Sequence, residues 1–284
     1  MNERSGLVPS RRLLCTVGAA AVLAAPSGPL AAQTDYYNTD AGRPVLIEDA
    51  YPTERYAFEL QLAPLRLERA SGGVYTWGVE PEIAYGILPQ THVEVGFPLA
   101  WADAAGSAGE FGLGGIDVSV LHNLNVETSG LPAFGIAAEA VLPVGSHAPD
   151  RLYPSVKAIA TRTFSFARFH VNGRYTFGSE PDLAAGEEAE GLEEVTRWMA
   201  GVAVDRTLPL RSMLLIADVY AEQPLHDEEE VEWNAGAGVR YQWSPRLAVD
   251  AGVGRRLTGE PGWFVTFGSA YAFAVRSLIP VPLR

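Results

Sequence analysis

Glu80 and Glu82 stand two residues apart in a segment that alternates between apolar and polar residues. On a strand, positions i and i+2 share one face, about 6–7 Å apart. Two carboxyl groups at that range could work as acid and nucleophile in glycoside hydrolysis. They could equally belong to a solvated wall, and the rest of the chain favours the wall. Glu59, Glu94, Asp117, Glu139, Asp205, Asp218, Glu222 and Asp250 occupy the polar positions of other alternating runs. Lys157, Arg174 and Arg240 stand in the same kind of position and could pair with these acids across an enclosed lumen.

Other chemistry finds little support. The histidines, at 92, 122, 147, 170 and 226, show neither HExxH nor His-x-His spacing, so no metal centre is expected. The acidic runs 180–194 and 226–230 could attract a divalent cation, but their spacing matches no calcium loop, and solvated loops are the better reading. There is no GxSxG, phosphate loop or dinucleotide GxGxxG; Gly112-x-Gly114-Gly115 reads as close backbone packing or a bulge. The single cysteine, Cys15, lies in the N-terminal apolar run, which removes thiol chemistry from the rest. No catalytic, cofactor-binding or metal-ligating residue is expected, and no enzyme. The candidate functional residues are pore-lining: Glu80, Glu82, Glu94, Asp117, Lys157, Arg174 and Arg240.

The elements that would carry them alternate with period two. In 231–243, Val231, Trp233, Ala235, Ala237, Val239, Tyr241 and Trp243 are separated by Glu232, Asn234, Gly236, Gly238, Arg240 and Gln242. One such strand fits half of a soluble sandwich. About twelve, each roughly 10–13 residues long, fit a transmembrane barrel with a lipid-facing row and a lumen-facing row. They are expected at 55–67, 74–86, 91–101, 112–124, 133–144, 155–164, 167–177, 196–207, 213–223, 231–243, 246–254 and 262–274, with a register shift at Ala63-Pro64. The connections at 87–90, 125–132, 165–166, 208–212 and 244–245 are mostly short. Those at 70–73, 102–111, 145–154, 178–195, 224–230 and 255–261 are mostly longer and acidic. Such alternation is the asymmetry of outer-membrane barrels, and aromatics cluster near strand ends as at bilayer interfaces.

Residues 1–32 read as a signal peptide, with Arg4, Arg11 and Arg12 ahead of the apolar run 13–25 and a cleavage position after Ala32. Its removal takes away three Arg and Glu3, so the net charge of −13 becomes about −15. So acidic a chain excludes nucleic acid as a partner. The expected organisation is signal peptide 1–32, irregular segment 33–54, barrel 55–274 and tail 275–284.

At residues 111–124, FGLGGIDVSVLHNL, and 131–147, LPAFGIAAEAVLPVGSH, the chain resembles the outer-membrane channel family named for the meta-pathway of phenol degradation. Gly112, Leu113, Gly114, Asp117, Leu142, Pro143 and Gly145 carry the resemblance, with the opening GRPVLIEDAYPTERYAFELQL at 42–62. Asp117 departs from the pattern by standing three residues after Gly114. The chain also ends AVRSLIPVPLR, without a terminal aromatic as assembly signal. The resemblance implies passive uptake of small, often hydrophobic or aromatic, molecules. The expected partners are outer-membrane lipid, a small-molecule solute and the barrel-assembly machinery, and the expected location is the bacterial outer membrane. The inward Gly and Ala argue for open lumen space. By orientation, Arg at outward Val239 should block assembly, and a polar residue at inward Gly238 should not. Two alternatives stay open: a structural or adhesive barrel with a filled lumen, and a lipid-modifying enzyme built on a barrel.

Overall fold

A strand with one apolar face still has two edges of unpaired backbone, and only closure removes both. The structure, a computed structural model, describes residues 38–69, 75–103, 110–178, 195–225, 230–258 and 262–279. Its strands are β1 (Ala57–Arg69), β2 (Tyr75–Leu88), β3 (Thr91–Gly96), β4 (Leu99–Asp103), β5 (Glu110–Leu113), β6 (Ile116–Asn123) and β7 (Ala133–Leu142). They continue as β8 (Tyr153–Thr163), β9 (Arg168–Thr176), β10 (Thr196–Thr207), β11 (Met213–Pro224), β12 (Glu232–Ser244), β13 (Leu247–Arg256) and β14 (Trp263–Ala274). All neighbours are antiparallel, and β1 pairs with both β2 and β14, which closes the sheet.

β3 and β4 pair in tandem with β2, while β6 and β5 pair with β3 and β4. Each couple is one wall strand in two pieces, so the barrel has twelve staves. The continuous strands expected at 91–101 and 112–124 are therefore each interrupted. Pro98 has no N–H to give the ladder, and Gly115 has φ 134°. The shift expected at Ala63-Pro64 is present, between Gln61 and Leu65. The two glycine motifs meet in space. Gly145 (φ 135°) packs on the backbone of Leu113, whose carbonyl accepts from His147 N at 3.0 Å. The β2–β3, β6–β7, β8–β9, β10–β11 and β12–β13 connections lie at one end, the short-turn end, and the remaining loops at the other. The segments 1–32, 180–194 and 226–229 lie outside the described residues.

The burial pattern is inverted relative to a soluble protein. Trp77, Ile136, Val171, Val202, Val253 and Phe267 are exposed on the outer wall, whereas Asn123, Lys157, Thr161, His170, Asn172, Asp205, Asp218, Arg240 and Thr266 are buried inside. This is the distribution of a lipid-facing apolar band around a polar interior.

The interior is occupied. Residues 44–54 of the segment expected to be merely irregular run as a hoop around the inside of the wall, from β14 by way of β12, β9 and β6 to β2. Val45 and Ile47 pack on Met199, Ala203, Ile216 and Tyr220; Ala50 packs on Leu121, Ala133, Ala137 and Ile159. The inward glycines thus do not mark open space. A Cβ on Gly238 would come within 2.6 Å of Pro44, and one on Gly86 would collide with the carbonyl of Glu54. A side chain at Gly238 would therefore have to displace Pro44, because the hoop passes where it would lie.

Candidate functional site

An extended segment inside a barrel has no neighbouring strand, so its buried N–H and C=O groups need side-chain partners. The wall supplies them along the whole hoop. Asp218 Oδ2 on β11 accepts from Leu46 N (2.9 Å) and Ile47 N (3.4 Å). Asn172 on β9 binds both backbone groups of Glu48. Thr161 Oγ1 on β8 accepts from Ala50 N (3.0 Å), and Asn123 Nδ2 on β6 donates to Ala50 O (2.8 Å). His92 Nδ1 on β3 accepts from Thr53 N (3.1 Å), and Thr266 Oγ1 on β14 donates to Pro44 O (3.2 Å).

Charge fastens the same segment. Lys157 lies between Glu48 Oε1 (2.6 Å) and Glu139 of the adjacent strand, and Arg174 approaches Glu139 at 3.9 Å. Arg240 donates to the carbonyls of Asn38 and Arg43 and to Asp40 Oδ2 (2.9 Å), with Asp250 at 3.9 Å. Arg43, fully buried, pairs with Asp40 and lies 3.7 Å from Glu59. Arg168 grips Asp205 through Nε (3.1 Å) and Nη2 (2.7 Å) and lies 3.7 Å from Asp49. Burial pushes the Asp49 carboxyl up to about 6, against the pull of Arg168 and His170. Burial acts on Asp40 in the same sense, but Arg240 and Arg43 outweigh it and hold that carboxyl below its ordinary value.

Thr161 Oγ1, His170 Nδ1 (3.0 Å) and, from His170 Nε2, Asp205 Oδ2 (2.9 Å) follow the order of a hydrolytic triad. The hydroxyl, however, already accepts from Ala50 N beneath the hoop, so this chain positions the hoop. Among the described residues no three His, Cys, Asp or Glu side chains are arranged to hold a metal.

The seven expected pore-lining residues separate into groups. Lys157 and Arg174 meet around Glu139, and Arg240 sits with Arg43, Asp40 and Asp250. They pair with the hoop and with neighbouring strands, where pairing across an open lumen was expected. Glu80, Glu82, Glu94 and Asp117 form a separate cluster on β2, β3 and β6, with hydrogen bonds from Glu80 to Asp117 and between Glu82 and Glu94. Glu80 and Glu82 are thus each engaged with another carboxyl group, Asp117 and Glu94. Sequence reasoning placed Asp218 only among the wall acids and did not single out Asn172, Thr161, Asn123 or His92. The signal that could have found them is the apolar run Val45-Leu46-Ile47 inside an otherwise polar stretch, which marks 44–54 as a segment that is buried.

One open space lies toward the short-turn end. A cavity of about 300 Å³ is bordered by Asn38, Asp40, Tyr51, Thr53, Glu59 and Arg168.

A family model described as "MetA-pathway of phenol degradation" matches residues 67–273. Among solved structures, an outer membrane channel from Pseudomonas putida F1 is similar at 12% identity and a TM-score of 0.53, over 79% of this chain and 98% of that one. A KdgM porin in complex with disordered oligogalacturonate is similar at 10% identity and a TM-score of 0.50, over 76% of this chain and 99% of that one. At these identities the likeness is one of fold. No curated protein matches the chain.

Proposed function

Because the chain belongs to the MetA-pathway of phenol degradation family, we propose that it is an outer-membrane channel for passive uptake of small molecules, including hydrophobic or aromatic ones, with no covalent chemistry of its own. The observation that carries this reading is the inverted barrel: an apolar wall exposed outside and charged side chains buried inside. Such a wall is stable only around a polar interior in lipid. The short-turn end faces the periplasm and the long-loop end faces outward. The acid-rich interior favours cations and neutral solutes over anions. The hoop narrows the passage, so solute flux depends on how firmly residues 44–54 are docked.

The test is single-channel conductance of the refolded mature protein in planar bilayers under cation and anion gradients, with uptake of a labelled small aromatic solute by cells carrying or lacking the protein. Cation-preferring conductance and protein-dependent uptake are expected. A folded, heat-modifiable barrel that neither conducts nor raises uptake would overturn the channel reading. That result would favour a structural barrel with a filled lumen, the reading that the hoop itself supports.

A further inference from the structure

Among the described residues many arginines in this barrel have acid partners, but on the outer wall toward the long-loop end Arg69 and Arg255 do not. Arg69 at the end of β1 and Arg255 near the end of β13 are both in register with Trp263 on β14. The three share the outward face, and Tyr75, in register with Arg69 on β2, extends the row. Trp263 and Tyr75 are exposed, at 37% and 40%, and the guanidinium of Arg69 lies 5.8 Å from the Tyr75 ring centroid. The nearby arginines that face inward are matched: Arg66 with Glu68 at 3.0 Å and Arg256 with Glu232 at 2.9 Å. Arg69 and Arg255 take no carboxylate partner among the described residues, in a chain with 34 acids against 21 Lys and Arg. The outward rows of β1, β13 and β14 carry no acid at all.

Two strand spacings separate the arginines, about 10 Å, close enough for both side chains to reach one headgroup. One rung further toward mid-membrane lie Leu67, Val265 and Val253, with Trp77 beside them. A cationic, aromatic rim above an apolar strip is complementary to one ligand shape: a phosphate at the interface with acyl chains below it. Arginine favours phosphate because its fork donates two parallel hydrogen bonds, and aromatic rings sit at the same depth. We propose that Arg69 and Arg255, on either side of Trp263, bind the phosphate of a phosphorylated glycolipid in the outer leaflet, with its acyl chains over Leu67, Val265 and Val253.

The proposal rests on the orientation given above, in which long loops face outward. A cysteine at Thr258, the only one after the signal peptide, reports that orientation by labelling with a membrane-impermeant maleimide on whole cells. Lipid retention is measured on the refolded mature protein by native mass spectrometry. The probes are bis-phosphorylated acylated diglucosamine (lipid A), its dephosphorylated form, phosphatidylglycerol and inorganic phosphate. Retention of the phosphorylated glycolipid is expected to fall at least about tenfold in Arg69→Gln/Arg255→Gln. It should recover in part in Arg69→Lys/Arg255→Lys and stay unchanged in Arg206→Gln at the opposite end. Heat-modifiable migration of each variant establishes that it is folded. Equal retention by the double Gln variant, or equal retention of the dephosphorylated lipid, overturns the site. Equal retention of phosphatidylglycerol, or full competition by inorganic phosphate, overturns its assignment to the outer-leaflet glycolipid. Absence of labelling at position 258 overturns the orientation instead.

Discussion

The side-chain amide of Asn172 stands in for a neighbouring strand: its Oδ1 accepts from Glu48 N at 2.9 Å and its Nδ2 donates to Glu48 O at 2.9 Å. One residue of β9 thereby satisfies both backbone groups at the middle of the hoop, where water is excluded. Replacing Asn172 with Leu removes both partners at once, and each orphaned group costs about 1–3 kcal/mol. The hoop should loosen while the barrel stays closed. Conductance of the refolded variant is expected to exceed that of the wild type, with unchanged heat-modifiable migration. Unaltered conductance would show that this contact does not hold the hoop.

Gly238 tests the hoop from the opposite side. A Val side chain there must displace Pro44, and overpacking of this kind costs about 1–3 kcal/mol. Gly173, whose added Cβ meets nothing within 4 Å, is the control. Gly238→Val should raise protease sensitivity of the N-terminal segment, and Gly173→Val should not.

Lys157 lies between two carboxylates, Glu48 and Glu139, and is itself almost completely buried. Lys157→Met leaves Glu48 without its cation and Glu139 with Arg174 alone at 3.9 Å, and loss of a buried partner costs about 3–5 kcal/mol. Faster hydrogen exchange of residues 46–50 is expected, partly restored by adding Glu48→Gln.

The pH dependence of docking has a definite sign at Asp49. Its docked carboxyl titrates at about 6 against an ordinary 3.8, so burial of its charge opposes docking above about pH 6. The opposition fades as pH falls through 6 and is gone below about 4. Acidification across this window should tighten the hoop and lower conductance, and Asp49→Asn should remove that part of the response. Identical pH profiles for the two proteins would refute it.

The wall has its own test. Val239→Arg places a charge on the lipid-facing row near mid-membrane and should destabilise the folded barrel by about 2–4 kcal/mol, read from urea titration of folding into vesicles.

The barrel itself was legible in residues such as Val239 and Arg240, because period-two alternation states which face each side chain takes, and twelve such runs leave few ways to hide every edge. The aligned breaks at Pro98 and Gly115 were half legible: proline and glycine advertise a weak ladder, but not whether a strand bends or splits. The hoop was not legible. Nothing local in Glu48 or Asn172 says that they meet, since they stand 124 residues apart and their contact exists only once the wall has closed. For the same reason Gly238 read as room and proved to be contact: a missing side chain looks alike in sequence whether it faces solvent or another backbone. Alternation, and with it the class of fold, is a property of neighbours along the chain. What fills the lumen depends on distances across it, which only the closed barrel sets.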